Sequence, residues 1–523
     1  MSRFSPFPLS LLSPFSPPSG DNLTQFILQL SLSRLTAPFS PSVPGRPFPY
    51  ENMAFSLLPA ELKLMIFKYL NTEAEKEENF KLTPYATVNR EWQAIFEEEI
   101  FEDIQITTRK RLAGFNNRLW VRTRRLIRSI ALTVELESYY DHGDARCRYE
   151  NEDEQRRNNE IFTASIQSLF NTLAKWPRRG GEVFSVSRSG GCVRESLTIF
   201  WIRDLRSWLQ FDEKLVGVGC ASVPLITCLV VTGGQIRRDD LRKIEPVSCS
   251  LIMTKLPRLD HLTLYLDDRC TWDPELRYRH RKDFADSIPL WPRSLTYLIL
   301  DFPFNEPSDE FYPPATSTVE GDPDPLSSRL HELSQRLYGL HADRGVFGKE
   351  IFWPLVTQDN AELPSWPKLN RMTLSYVPIT PGGTHMFEKK EPEQILTLGQ
   401  HSTIDLTIYE EMDDTDIDWV PPEQRRARWF RRKPNHEMFN QYFLTAGKAA
   451  LQMPKLTNMK IEVVECVNML GFWYEVKDGV AKVTWLCDWD FQAFEISSEV
   501  LQVWGKVAYE HTGRDLELEF DRY

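Results

Sequence analysis

Four segments of this chain repeat one pattern. They read "LPRLDHLTLYL" (256–266), "WPRSLTYLILDF" (291–302), "WPKLNRMTLSYV" (366–377) and "MPKLTNMKIEVV" (453–464). Each has a proline and then Leu-x-x-(Leu/Met)-x-(Leu/Ile). The anchors are Leu259/Leu262/Leu264, Leu295/Leu298/Leu300, Leu369/Met372/Leu374 and Leu456/Met459/Ile461. Apolar residues at a period of two predict short strands with one buried face. A short strand cannot bury that face alone, so a recurring copy predicts units stacked on one another around a shared core. The central leucines or methionines are 36, 74 and 87 residues apart, from Leu262 to Leu298, Met372 and Met459. The larger gaps are about twice the first and leave room for degenerate copies or insertions. "RESLTIFWI" near 195 is a weaker fifth copy. Between copies, "SSRLHELSQRLYGLHAD" puts Leu330, Leu333, Leu337 and Leu340 on one helical face, and "NHEMFNQYFLTAGKAALQMPKL" predicts a helix feeding straight into the last strand.

This pattern resembles an irregular leucine-rich-repeat array, which implies parallel strands on one side and helices or loops on the other. The copies lack the Asn or Cys that usually follows the strand. Four unrelated strands in an α/β domain are the alternative. The predicted class is α/β, with residues 104–180 as a basic linker and first α/β elements and 181–523 as the array. Loop insertions are expected near 301–325 and 410–435. Ahead of the copies, "SIALTVELESYY" alternates like a strand, and a helix from "NEDEQRRNNE" carries Ile161, Phe162, Ile166, Leu169 and Phe170 on one face.

The N-terminal hundred residues differ. Residues 1–53 form a Ser/Pro-rich tail whose clustered prolines oppose regular helix; few acids and several serines leave a transit peptide as the alternative. From 54 to 103 two helical patterns follow. Leu58, Leu62, Met65, Ile66, Tyr69 and Leu70 share one face, with Pro59 at the helix start and the end expected near Asn71. After the acidic "TEAEKEEN", Tyr85, Val88, Trp92, Ile95 and Phe96 share another face, with a helix start expected at Pro84. Leu58-Pro59, Glu61-Leu62, Ile66 and Leu70, then Val88-Asn89-Arg90 and Trp92, resemble an F-box. "YATVNREWQ" (85–93) and "LTAGKAALQMPKL" (444–456) are similar to segments of a fungal family of F-box proteins with uncharacterised C-terminal regions. Two departures are the acidic lengthening after Leu70 and Ile100-Phe101 in place of the closing Leu-Trp. The resemblance implies an all-helical unit that binds a Skp-type adaptor, and through it a cullin, by Leu58, Pro59, Leu62, Ile66, Leu70, Val88 and Trp92. Within the resemblance the C-terminal array would hold a protein target.

Chemistry of its own is not expected. Nine histidines are scattered without an HExxH pair, and eight cysteines lack any CxxC spacing. This predicts reduced thiols, no metal, no cofactor and no enzyme, in the cytoplasm or nucleus. "TAGKAA" has a Gly-Lys pair but lacks the upstream glycine and the following Ser/Thr of a phosphate loop, so Lys448 reads as an exposed helix residue. No run of 18 apolar residues appears, so no membrane span is expected. The net charge of −12 gives no reason to expect a nucleic-acid partner. Local basic stretches remain. Residues 107–130 carry eight cations and read as a solvated helical face. Arg425, Arg426, Arg428, Arg431 and Arg432 surround Trp429, a composition suited to an acidic or phosphorylated peptide, a nuclear-targeting patch or an exposed loop.

Overall fold

A computed structural model describes residues 59–76, 81–107, 109–119, 121–136, 151–176, 196–202, 208–212, 214, 219–231, 244–266, 268, 274–304, 314, 316–318, 322–354, 363–389, 431–464, 469–487 and 494–522. The chain divides into two units, Met1–Glu102 and Asp103–Tyr523.

The first unit holds α1 (Ala60–Lys76) and α2 (Arg90–Glu102), joined through a 3-10 turn at Tyr85–Thr87. Glu61 lies in the first turn of α1, where it meets the positive end of the helix dipole. The helix does not stop near Asn71. It runs five residues further because Glu, Ala and Lys are good helix formers, and the Thr72 hydroxyl donates back to the Lys68 carbonyl. Nor does the second helix start at Pro84. Asn89 is its cap, accepting from the Trp92 N–H at 3.0 Å. Phe67, Leu70, Trp92 and Phe96 form the core. Phe67 meets Trp92 and Phe96 edge-on, both at 5.4 Å, and Tyr85 stacks on Trp92 at 6.1 Å. Lys63 and Glu91 tie the two helices at the surface.

In the second unit a twelve-stranded sheet runs in chain order: β1 (Asp103–Ile106), β2 (Ser129–Glu135), β3 (Ser196–Ile202), β4 (Cys228–Val231), β5 (His261–Tyr265), β6 (Tyr297–Asp301), β7 (Gly339–Gly345), β8 (Arg371–Tyr376), β11 (Asn458–Val464), β12 (Met469–Lys477), β13 (Val480–Cys487) and β14 (Glu517–Arg522). A short antiparallel pair, β9 (Phe387–Lys389) and β10 (Arg431–Pro434), stands apart from it. Every contact from β1 to β11 is parallel. The register stacks the repeat anchors: Leu262 pairs with Leu298, then Leu340, Met372 and Met459, and Leu264 with Leu300, Ala342, Leu374 and Ile461. All ten are buried, so one face of each strand makes a continuous core.

The helices of eight residues or more are α3 (Arg109–Arg118), α4 (Glu152–Leu173), α5 (Pro246–Met253), α6 (Pro274–Ser287), α7 (Pro325–Ser334), α8 (His436–Ala450) and α9 (Ser498–Thr512). They pack in sequence order, α5 on α6, α6 on α7 and α8 on α9. A capping box of Asn151 and Glu154 opens α4. Two tryptophans at the starts of copies staple neighbours together. The Trp291 indole donates to Ser250 on α5 at 2.8 Å, and the Trp366 indole to Ser334 on α7 at 2.7 Å.

Two expectations are corrected. The helix reading through Leu337 and Leu340 fails, because α7 stops at Ser334 and "GLHADRG" is strand β7, a copy inside the 74-residue gap. β4 is a further copy. The strands are also not all parallel: β11, β12 and β13 form an antiparallel meander. Asp478 and Gly479 take left-handed backbone (φ 52 and 74), a two-residue hairpin turn whose twist suits flanking strands. An aromatic core of Phe443, Phe472, Trp485 and Trp504 closes this end.

Candidate functional site

Two places in the chain bring together residues that could do more than fold. The first is the exposed surface of α1 and of the turn that precedes α2. Leu62, Leu64, Met65 and Val88 are 45%, 56%, 67% and 44% exposed. Leu62 and Met65 are one helical turn apart on α1. Val88 lies in the connection before α2 because that helix begins later than its apolar pattern. Four large apolar side chains thus stand in water on a small unit. Pro59, also exposed, sits one residue ahead of α1, and its carbonyl accepts from the Lys63 N–H.

The seven residues expected to face an adaptor therefore divide. Pro59, Leu62 and Val88 are exposed, and Ile66 is half-buried beside the core. Leu70 and Trp92 are 2% exposed and belong to the helical core, where their side chains hold α1 against α2. Leu58 lies outside the described residues. Leu64 and Met65 are exposed and Phe67 is core. Met65 lies on the apolar stripe of α1, but a stripe alone cannot tell which of its edges faces in. The second expected patch, Arg425, Arg426, Arg428 and Trp429, lies outside the described residues. Arg431 and Arg432 fall in β10.

The second place is a buried charge cluster at the C-terminal ends of β5 to β7. Arg277 and Arg281 project from α6 and are 1% exposed; Asp268, Asp324 and Glu350 are 3%, 0% and 5% exposed. Arg277 holds Asp268 with two bonds, 3.0 and 2.9 Å. Arg281 holds Asp324 with two bonds of 2.8 Å, reaches Asp268 at 3.2 Å, and donates to the Val346 carbonyl. Asp324 also caps α7, accepting from the Ser327 N–H at 2.9 Å and hydroxyl at 2.6 Å. Burial pushes Asp324 up, but Arg281 and Ser327 together hold it below its ordinary value. Glu350 accepts from the Asp324 N–H at 2.6 Å, and burial pushes its carboxyl up to about 7. A Cβ on Gly348 would stand 2.2 Å from the Glu350 carboxylate, so glycine is what lets the carboxyl lie there.

Strand ends of an open α/β sheet are where ligands often bind. This cluster instead satisfies itself: each guanidinium grips a carboxylate, and the phenyl rings of Phe304 and Phe302 cover Arg277 and Arg281 at 4.1 and 5.9 Å. Its work is to clamp α6, α7 and the segments after β5 and β7 together. Among the described residues no group of three His, Cys, Asp or Glu could hold a metal ion, and no described helix is long and apolar enough to cross a membrane. Cys249 is buried, and burial pushes its thiol well above the ordinary range, away from nucleophilic use. Lys448 is exposed on α8.

A model of a family of unknown function, DUF6546, matches residues 426–522. That span covers β10, α8, β11, the antiparallel hairpin, α9 and β14, the closing end of the array. Comparison with curated proteins gives no match.

Proposed function

We propose that this chain is a non-catalytic substrate receptor of an SCF-type cullin–RING ubiquitin ligase. The helical unit acts as an F-box that docks a Skp-type adaptor, and the stacked array acts as an irregular leucine-rich-repeat surface that holds a protein target. The observation that carries the reading is the exposed trio Leu62, Met65 and Val88 on a helical unit whose core is already closed by Phe67, Leu70, Trp92 and Phe96. The F-box-like sequence around these residues supports it, as does the chain-order parallel stacking of β1 to β11. In this reading the chain supplies proximity, and the assembled partners supply the chemistry. The cytoplasm or nucleus is the compartment the reading requires.

The test is co-purification of the full chain with a Skp-type adaptor and a cullin. Leu62→Asp and Val88→Asp change exposed positions, so circular dichroism should match the parent chain while the adaptor is lost. An F-box scaffold acting outside a ligase predicts a different result: the adaptor is retained and the cullin absent. Failure of the parent chain to hold the adaptor sinks both readings.

A further inference from the structure

Each strand from β5 to β11 is entered through the same turn, and the turn has a second regularity. The residue three places ahead of the strand is Arg258 before β5, Arg336 before β7, Lys368 before β8 and Lys455 before β11. Before β6 that place is Ser294, with Arg293 just ahead of it. Arg371 heads β8. Arg258, Arg293, Lys368, Arg371 and Lys455 are exposed and Arg336 is half-buried. None of the six makes an ion pair among the described residues. Asp260 is the acid that lies within the run, and it is engaged by the Thr296 hydroxyl and by His261 at 2.8 Å. Glu475, opposite Asn458 on β12, bounds the run.

The turns are held rigidly. One carbonyl accepts two N–H groups of the next copy at every step: Thr227 from Asp260 and His261, Asp260 from Thr296 and Tyr297, Thr296 from Tyr338 and Gly339, Tyr338 from Asn370 and Arg371, Asn370 from Thr457 and Asn458. Neighbouring strands are about 4.8 Å apart, so the four steps from β5 to β11 span roughly 19 Å, the length of about six extended residues. The turns that carry the cations therefore stand in a line at fixed intervals, with Arg293 set one residue back at β6. Burial pushes the Arg336 guanidinium below its ordinary value, and the like charge of Arg293 pushes it further the same way. An incoming anion would relieve that repulsion.

We propose that this rim docks an extended, Asp/Glu-rich segment of a partner protein. The even spacing favours a row of single carboxylates over one phosphate, which calls for cations converging on a point. Ring geometry disfavours nucleic acid. His261 stacks on Tyr297 at 4.4 Å, Tyr297 on Tyr338 at 6.1 Å, and Lys368 covers the Tyr338 ring at 5.7 Å. The ring faces are already engaged with one another, whereas single-stranded nucleic acid needs open faces for its bases. The inference deepens the receptor reading by naming the chemistry of the held segment, and it rests on that reading only for its purpose.

The experiment is fluorescence anisotropy of the full chain, without adaptor, against a labelled ten-residue Asp/Glu peptide, a neutral peptide with one phosphoserine, and a ten-nucleotide uridine strand. The acidic peptide should bind saturably and weaken as salt rises. The triple variant Arg336→Gln/Lys368→Gln/Lys455→Gln should lose about tenfold or more in affinity, about 1.4 kcal/mol. Lys448→Gln/Lys506→Gln, exposed lysines on α8 and α9, should bind like the parent. Should the triple variant misfold, the single variants Lys368→Gln and Lys455→Gln at exposed turns carry the same comparison. Absence of saturable binding, equal losses in both sets of variants, or tighter binding of the phosphoserine peptide or the uridine strand each overturns the proposal. Adaptor capture by the triple variant, measured separately, tells a failure of the rim from a failure of the receptor reading.

Discussion

Glu350 gives the chain a built-in dependence on pH, and its size follows from the geometry. The carboxyl is 5% exposed beside Asp324. Burial moves it from an ordinary value of 4.5 to about 7. At about 1.4 kcal/mol per decade of proton affinity, deprotonation in the folded chain costs about 3 kcal/mol more than in the unfolded chain. The sign follows from proton counting. Between pH 4.5 and 7 the folded state holds a proton that the unfolded state has released, so stability falls as pH rises through that window and levels off above it. Glu350→Gln keeps the shape and removes the titration. Because a stacked array need not unfold in one step, hydrogen exchange on peptides from α7 and from 345–352 is the fitting assay. Taking the variant-to-parent ratio at each pH cancels intrinsic exchange rates. It also cancels His331, whose pKa burial pushes down and which loses stability in the opposite direction as pH falls. Protection of the variant relative to the parent should rise by roughly two orders of magnitude from pH 5 to pH 8. Parallel profiles would refute the assignment of a proton to Glu350.

Further outcomes follow from named contacts. Arg281→Met leaves Asp324 buried without its cation and should destabilise the array by about 3–5 kcal/mol; adding Asp324→Asn should recover part of the loss, read from urea denaturation as a double-mutant cycle. Phe67→Ala empties the centre of the helical core at a cost of about 3–5 kcal/mol, so amides of 60–76 and 90–102 should lose protection from exchange while those of the array keep theirs. Gly447→Ala puts a methyl 2.5 Å from Val503 Cγ1 where α8 and α9 meet, and should lower the thermal midpoint through about 1–3 kcal/mol of overpacking.

How far the sequence could be read depended on how local the signal was. The strands of the four clear copies were legible because a period of two after a proline has few other outcomes: they are β5, β6, β8 and β11. β7 was hidden because Leu330, Leu333, Leu337 and Leu340 keep helical spacing across a break that no proline marks. Asp478-Gly479 carried the hairpin in plain sight, and the expectation of uniform parallel copies overrode it. The charge cluster was not legible. Arg277 and Arg281 sit in a helix that reads as solvated, and their partners Asp268 and Asp324 are far apart in sequence. At the helical unit, periodicity found the apolar residues but could not tell contact from core, because both lie on α1 within one turn of each other.

A parallel stack has a mechanical problem that the closing end solves. Each copy buries its face only against a neighbour, so a stack needs an unlike terminal unit to stop. Here the chain reverses at Asp478-Gly479, and β13 offers β14 its outer edge. Trp504 from α9 seals the aromatic core, bonding the Phe443 carbonyl at 3.0 Å. The last strand still shows Leu518 and Phe520 at 46% and 69% exposure, alternating with Glu517, Glu519 and Asp521. Alternating acids on an edge strand disfavour pairing with a second copy of itself, since like charges would lie across from each other. The last strand thus carries acids, Glu519 among them paired with Lys482 of β13, where the entry turns of the preceding copies carry cations. Charge along the array is sorted by position, cations at the turns that enter β5 to β11 and acids on the strand that ends it. That sorting is what would orient a linear acidic partner toward the rim and keep it away from the closing edge.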